Sequence, residues 1–545
     1  MITFPKPAIA PHLMTATRDS QEQFKNRLSQ NAVVQLAAKL LYMVSRFLLP
    51  PVILSYITLE EYGIWATCFI VIGYLGMGAF GIANVYIRYI AEYSARQDID
   101  AINRLISTGL IITTVGGAVL LAGLGLAMPM LLDLLHVAPH LRETAGVLIF
   151  ATATVIVLDM SLSVFAHVLN GMQLMARQTV IWVISVLLEA ALIVGLLVIG
   201  LGVYALLWAF ALRYLIGTWL SARACFRAMP GLSIGLQHFD RHLLRLFYGF
   251  GGIVQLAGLL SMILYSIEKV IAGLFIGVRA TGLFDLGEKL PMMSSQITSS
   301  LNAVFLPAVT HLHSLGRLEE LAKLYMKGAR YISVLTGLIM GFLAGFAAPI
   351  MTAWLGPSEE FQITAFIMTW FTLPFHTHVI TGPCTALHYG ANHPARVLFY
   401  PLTQAALVVA LVGGAFLLLG ITIPAITYGV AAAMTLSAWV YMIYSNRLLH
   451  VGNGAYFRVV IVPGLLPYGF GLALAWLAEP WFTAAGTDRW RLLGLLTLCG
   501  LLYSVVTAAF LYRVMCDWGE REYLRRQLRH TLGGFINKVT GRKTV

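Results

Sequence analysis

Long apolar stretches, broken by short polar turns, recur along almost the whole chain. A helix that crosses a bilayer needs about 20 apolar residues, because inside hydrocarbon every backbone N–H and C=O must be bonded within the helix itself. Applied to this pattern, the rule predicts about 14 spans. Their cores lie near 31–56, 62–88, 106–131, 144–168, 179–200, 203–222, 248–275, 281–308, 331–355, 362–388, 397–419, 422–445, 459–478 and 491–515. No connection on the side opposite the N-terminus exceeds about a dozen residues, too short for a folded domain. A membrane glycosyltransferase or polymerase, which needs an external domain or long loop to hold an acceptor, is disfavoured on that ground.

Composition sharpens the picture. Of 545 residues 59% are hydrophobic and 11% charged, and the mean hydropathy is +0.80. Soluble domains carry roughly 25% charged residues, so a soluble multidomain enzyme is excluded, as is a disordered chain. The five cysteines show no paired spacing and support neither a disulfide framework nor a metal cluster. The first 30 residues are polar and lack the apolar core of a signal peptide.

The net charge of +12 is explained by where the bases lie. With the N-terminus inside, inner segments hold roughly 26 of the 36 Lys and Arg residues and outer ones about 4. Both ends are therefore expected in the cytoplasm of a bacterial inner membrane, with the excess charge facing anionic lipid heads rather than nucleic acid. After Cys516, Leu524, Leu528, Leu532, Phe535, Ile536 and Val539 recur at helical spacing opposite Arg521, Arg525, Arg526 and Arg529. That predicts a basic amphipathic helix on the inner leaflet.

A shift of about 219 residues aligns two stretches without gaps. Ile57–Leu105 superposes on Ile276–Leu324, with Gly63 on Gly282, Asp100 on Glu319, Arg104 on Lys323 and Leu105 on Leu324. An even number of spans separates the copies, so both halves have the same orientation, as in transporters built from parallel repeats. The expected architecture is an all-α polytopic membrane protein, two six-helix lobes in parallel pseudo-twofold repeat plus a C-terminal helix pair. Its parts are a cytoplasmic segment (1–30), an N-lobe (31–225), a cytoplasmic linker (226–247), a C-lobe (248–446), an added pair (459–515) and the basic tail (516–545).

Ionisable residues inside a span cost about 2.5–3.5 kcal/mol each and usually face a cavity or a partner. The candidates are Lys39, Arg46, Arg88, Asp159, Glu189, Arg213, Glu268, Lys269, Asp285, Glu288 and Lys289, all within the first eight spans. Lys39 and Arg46 are seven residues apart and share one helix face. Asp285, Glu288 and Lys289 share a face at i, i+3 and i+4. Across the turn near Gly277–Ala280, Glu268 and Lys269 reach a similar depth, which predicts a mixed-charge cluster joining Lys269 or Lys289 to Asp285 or Glu288. The cluster reads equally as an ion-pair lock and as a substrate or ion contact. Arg46 and Arg88 are expected to face a cavity, Lys39 and Arg88 sit near the inner end where they can snorkel, and Asp159 and Glu189 can each neutralise an arginine. His376 and His378, two apart, fall on different helix faces and make a poor metal pair.

Bases in a wetted cleft suit an anionic head group such as a diphosphate, because guanidinium donors match phosphate oxygens. They would repel cationic drugs. No G-x-x-x-x-G-K-[ST] occurs, so ATP hydrolysis is not expected. No cofactor is expected, and an ion gradient (H+ or Na+) or consumption of the product on the far side must drive transport.

The stretch Leu59-Glu-Glu-Tyr-Gly-Ile-Trp-Ala66, then Gly76, Gly81 and Ile87-Arg88-Tyr89-Ile90-Ala91-Glu92, resembles the opening of bacterial polysaccharide flippases of the multidrug/oligosaccharidyl-lipid/polysaccharide exporter superfamily. Glu268-Lys269-Val270-Ile271, Gly282-Leu-Phe284, Glu288-Lys289-Leu290, Pro307 and Gly316 to Leu321 follow the second-lobe pattern of that family, with Glu268 in place of its Asp. The resemblance implies translocation of undecaprenyl-diphosphate-linked oligosaccharide to the outer leaflet, with polysaccharide polymerase and glycosyltransferases in the same pathway. It makes Arg46, Arg88 and Arg213 contacts for a diphosphate or acidic sugar, with Lys39, Lys269 and Lys289 as further bases. Asp159, Glu189, Glu268, Asp285 and Glu288 would then serve coupling or gating. The added helix pair and Ser45-Arg46 resemble the lipid II flippase branch, whereas the Glu-Glu-Tyr-Gly opening is similar to surface-polysaccharide flippases. A cation-coupled drug exporter of the same superfamily and a non-transporting scaffold are the remaining alternatives.

Overall fold

The computed structural model describes residues 18–76, 82–244, 247, 258, 260–261, 263–515, 519 and 521–522. Among them all regular structure is helical. Eleven helical stretches are long and apolar enough to cross a membrane. The other three expected spans have particular reasons for falling outside that set. Span 62–88 is interrupted by 77–81, which lie outside the described residues, as does most of 248–275. Span 281–308 carries Asp285, Glu288 and Lys289. The expected amphipathic tail also lies almost wholly outside the described residues.

The chain folds into two compact units. The first takes Met1–Ile57, Val71–Pro129 and Glu143–Gly252, the second Thr58–Ile70, Met130–Arg142 and Ile253–Val545. Helices α1 (Arg18–Leu54), α2 (Leu59–Gly76), α3 (Ile82–Ala95), α4 (Ile99–Leu134), α5 (Arg142–Leu162), α6 (Val164–Gly171), α7 (Met175–Val198) and α8 (Tyr204–Ala228) form the amino-terminal half of the chain. Their starts are written locally. Thr58 and Glu61 make a reciprocal capping box on α2, the Glu61 carboxylate accepting from Thr58 N–H at 2.8 Å and Thr58 Oγ1 from Glu61 N–H at 3.2 Å. Asp98 caps α4 by accepting from Ala101 N–H at 2.9 Å.

In the first unit, Val85, Tyr86 and Ile90 of α3 pack on Ile102, Leu105 and Ile106 of α4 and on Val164, Phe165 and Val168 of α6. The 226–247 segment, expected as a linker, is pinned to α4 by polar side chains that periodicity does not reveal. Asn103 donates to Gly231 C=O at 3.3 Å and accepts from Ser233 N–H at 3.0 Å, and Thr108 accepts from Asp240 N–H at 2.9 Å.

The carboxy-terminal half comprises α9 (Ile267–Phe275), α10 (Val278–Ser299), α11 (Phe305–Ser314), α12 (Leu318–Gly345), α13 (Ala347–Leu355), α14 (Glu359–Gly390), α15 (Phe399–Leu419), α16 (Ile423–Asn446), α17 (Val462–Ala485) and α18 (Arg489–Met515). Its core gathers Tyr325 and Ala329 of α12, Ile380 and Cys384 of α14, Tyr400 of α15 and Tyr441 of α16.

The expected N-lobe placed 58–70 and 130–142 in the first half, whereas both group with the second unit. Two close approaches explain this. A Cβ on Gly63 would lie 2.0 Å from Val278 O, and one on Gly282 would lie 3.2 Å from Gly63 Cα, so the starts of α2 and α10 cross backbone to backbone. These are the glycines that the internal repeat superposes. A Cβ on Gly273 would come 3.1 Å from the Leu135 side chain, which seats the end of α4 on α9.

The added helix pair is bound into the second unit by the same device. Gly337, Gly341 and Gly345 recur every four residues on α12 and face Gly464, Pro467 and Gly471 of α17; a Cβ on Gly337 would sit 1.9 Å from Gly464 O and one on Gly345 2.5 Å from Gly471 O. In lipid, where no hydrophobic drive joins helices, such backbone proximity supplies the packing contacts. Gly337→Val is expected to lower the melting temperature of the detergent-purified chain by prying α17 off α12, at about 1–3 kcal/mol or more for an overpacked site. Gly494→Val on α18, where nothing lies within 4 Å, is expected to leave it near the wild-type value.

Candidate functional site

The intramembrane charges assemble into two clusters, one inside each unit. In the first unit Glu189 of α7 is buried and receives two arginines. Arg46 of α1 donates to its Oε2 at 2.6 Å and Arg213 of α8 at 3.2 Å. The Glu189 side chain is 2% exposed, Arg46 22% and Arg213 13%. Both guanidinium groups also lie over tyrosine rings, Arg46 over Tyr42 at 5.2 Å and Arg213 over Tyr214 at 4.8 Å. Arg46, expected to face a cavity, is thus held by an acid 143 residues away.

Arg213 does more than close this pair. With Asp159 of α5 it lines a half-open cavity of about 280 Å³ between α5, α6, α7 and α8, together with Gln178, Trp182, Tyr214 and Thr218.

In the second unit the predicted mixed-charge cluster is present. Lys269 of α9 donates to Asp285 Oδ1 at 3.1 Å and pairs with Glu288. Lys289 donates to Asp285 Oδ2 at 2.6 Å, one helical turn along α10. Glu268 is fully buried beside Glu288 and Lys269. Three carboxylates thus face two ammonium groups.

Tyr62 of α2 completes the cluster and was not foreseen. Its hydroxyl donates to Asp285 Oδ2 at 2.8 Å and accepts from Lys289 Nζ at 3.0 Å. The signal lay in the repeat: Gly63 meets Gly282, and Asp285 is one turn beyond Gly282, within reach of the residue before Gly63.

Lys39 is half-buried on α1, and Arg88 is exposed on α3 with its guanidinium over the Tyr89 ring at 5.4 Å. His376 and His378 have separate partners, Ser333 Oγ at 3.3 Å and the Tyr400 hydroxyl at 2.9 Å. They pack helices together, as their spacing predicts.

Ionisable residues within spanning helices are costly and persist where they pair with one another or line a cavity, as both clusters do. The family model described as "Polysaccharide biosynthesis protein" matches residues 28–313, more than half of the chain and including every candidate residue named above except the two histidines. The chain belongs to the polysaccharide biosynthesis protein family.

Within that family setting, the chain is 21% identical over 530 residues to the membrane protein EpsK of Bacillus subtilis (strain 168), covering 92% of this chain and 98% of EpsK. In fold this chain is similar to a multidrug resistance MATE family transporter of the MOP superfamily solved in an inward-facing conformation, with a TM-score of 0.62 at 15% identity over 77% of this chain and 98% of the transporter. The lipid II flippase MurJ, in an inward closed conformation, is similar over 89% of this chain and 99% of its own, also with a TM-score of 0.62 and 15% identity. These relatives of known fold are transporters and a flippase, not enzymes. The protein is a multi-pass membrane protein of polysaccharide biosynthesis with the MOP transporter fold.

Proposed function

We propose that this protein is a flippase that moves undecaprenyl-diphosphate-linked oligosaccharide across the bacterial inner membrane, both termini cytoplasmic, for surface polysaccharide assembly (O-antigen, capsule or exopolysaccharide). The observation that carries the reading is a pair of half-buried arginines, Arg46 and Arg213, on a shared buried glutamate within spanning helices of a polysaccharide-family chain, one of them opening on a cavity. Guanidinium donors match the oxygens of a diphosphate. Arg46 and Arg88 are the proposed diphosphate contacts and Arg213 a sugar-side contact, with Lys39, Lys269 and Lys289 as auxiliary bases. Asp159, Glu189, Glu268, Asp285 and Glu288 are proposed to couple or gate. Glycosyltransferases and a polymerase would supply and consume the cargo.

Coupling has a natural seat in the second unit. Three carboxylates against two ammonium groups leave one negative charge, and a proton or Na+ at the Glu268–Glu288 pair would neutralise it. Alternating access then follows from occupancy of that pair.

One observation favours a second reading, lipid II flipping. MurJ is matched over 99% of its length and 89% of this chain, against 77% of this chain for the MATE transporter. Deleting the gene separates the two. Lipid-linked repeat units are expected to accumulate in the inner leaflet with loss of surface glycan, scored by lipid extraction and glycan staining. Normal surface glycan with lost viability would instead assign lipid II.

A further inference from the structure

The cavity in the first unit has a lining more particular than a cationic cleft needs. Two aromatic residues line it: Trp182, whose ring is braced against Tyr42 at a centroid distance of 5.3 Å, and Tyr214, held between Phe210 at 4.8 Å and the Arg213 guanidinium. Its polar groups alternate in character. Asp159 offers a carboxylate to which no described residue donates a hydrogen bond, Gln178 offers both a donor and an acceptor, and Thr218 a hydroxyl. Arg213 has already given one nitrogen to Glu189, so with Asp159 and Glu189 nearby it brings donors to the cavity with little net charge.

We infer that this cavity is a binding site for a single neutral pyranose ring, its apolar face on Trp182 and its hydroxyls on Asp159, Gln178 and Arg213. A flat aromatic surface with a polar edge suits a ring that has an apolar face and a hydroxylated rim. A carboxylate accepts strong charge-assisted bonds from adjacent hydroxyls but repels a uronate or a phosphate. The volume of about 280 Å³ lies at the lower end of ligand pockets, which run from roughly 300 Å³ for drug-sized molecules, and fits one sugar ring. The inference deepens the flippase reading and rests on it for biological meaning: one sugar of the glycan would be read here.

The test is direct binding to the purified full-length chain in nanodiscs, followed by saturation-transfer NMR. The probes are methyl β-D-glucopyranoside, methyl β-D-galactopyranoside, methyl β-D-glucuronide and the cation tetraphenylphosphonium. Transfer to the ring protons of at least one neutral pyranoside is expected, exceeding that to the glucuronide. Asp159→Asn and Gln178→Ala are expected to weaken it, about tenfold for the charged acceptor, and Trp182→Ala to abolish it. Trp490→Ala, an exposed indole of the second unit, is expected to leave it unchanged. Melting temperatures matched to wild type for Asp159→Asn and Gln178→Ala keep the result clear of misfolding. Absence of transfer from both neutral pyranosides, transfer indifferent to Asp159→Asn and Gln178→Ala, or preference for the glucuronide or the cation would each overturn the inference. The readout needs no transport, so it fails or succeeds apart from the gene-deletion test of flipping.

Discussion

Glu189→Gln is expected to cause the largest loss of folded protein of any single substitution in the first unit. Glu189 is the one acid that both Arg46 and Arg213 bond, and its side chain is almost completely buried. The amide keeps the shape and removes the charge, leaving two guanidinium groups side by side with Asp159 beside Arg213. Breaking a buried ion pair by deleting one partner costs about 3–5 kcal/mol, because the surviving charge stays desolvated. Here two charges survive. The signature that separates this account from simple loss of packing is charge-balanced rescue. Glu189→Gln combined with Arg46→Gln leaves Arg213 with Asp159 and restores neutrality, so the double variant is expected to melt above the single one. Fluorescence-detected size-exclusion after heating reads both. A double variant less stable than Glu189→Gln alone would show that the arginines stabilise the unit independently of the acid.

Why this triad escaped the sequence while its counterpart did not is a matter of distance along the chain. Asp285, Glu288 and Lys289 are ordered by helical spacing, and the short turn at Gly277 brings Lys269 back to the same depth; local geometry is enough to predict that they meet. Nothing local relates Arg46 to Glu189, which lie on helices α1 and α7, and periodicity names the charges without naming the partner. Asp159 and Glu189 were legible as neutralisers of some arginine, and for Glu189 the structure supplies which. The linker shows the opposite limit. Residues 226–247 are polar and read as a tether, yet Asn103, Ser107 and Thr108 on α4 hold their backbone N–H groups. Small polar residues on an apolar helix look like tolerated exceptions until the strand of chain they bind is placed beside them. The crossing of α2 and α10 was half legible: the repeat superposes Gly63 on Gly282, and their contact follows once each is seen as a place where a Cβ cannot fit.

In the second unit the residue expected to matter most is Lys269. It bonds Asp285 and pairs with Glu288, whereas Lys289 serves Asp285 and the Tyr62 hydroxyl. Lys269→Met therefore leaves Glu288 and Glu268 side by side, fully buried, with no cation between them, and raises the uncompensated charge of the cluster from one to two. A loss of about 3–5 kcal/mol is expected, read as melting temperature and as membrane-inserted yield. Lys289→Met is expected to cost less, because its side chain and that of Asp285 are each 20% exposed and Asp285 keeps both Lys269 and Tyr62. Tyr62→Phe removes the hydrogen bond donated to Asp285 and the one accepted from Lys289, both with charged groups, and should cost about 1.5–3 kcal/mol or more. The ordering Lys269→Met, then Lys289→Met, follows from which carboxylates each ammonium serves, and equal losses would mean that the cluster is held by packing instead of charge. Pairing Lys269→Met with Glu288→Gln leaves three charges and returns the uncompensated charge to one, so the double variant is expected to recover stability. If it recovers folding but not surface glycan, the Glu268–Glu288 pair is needed for coupling beyond its part in holding α9 to α10.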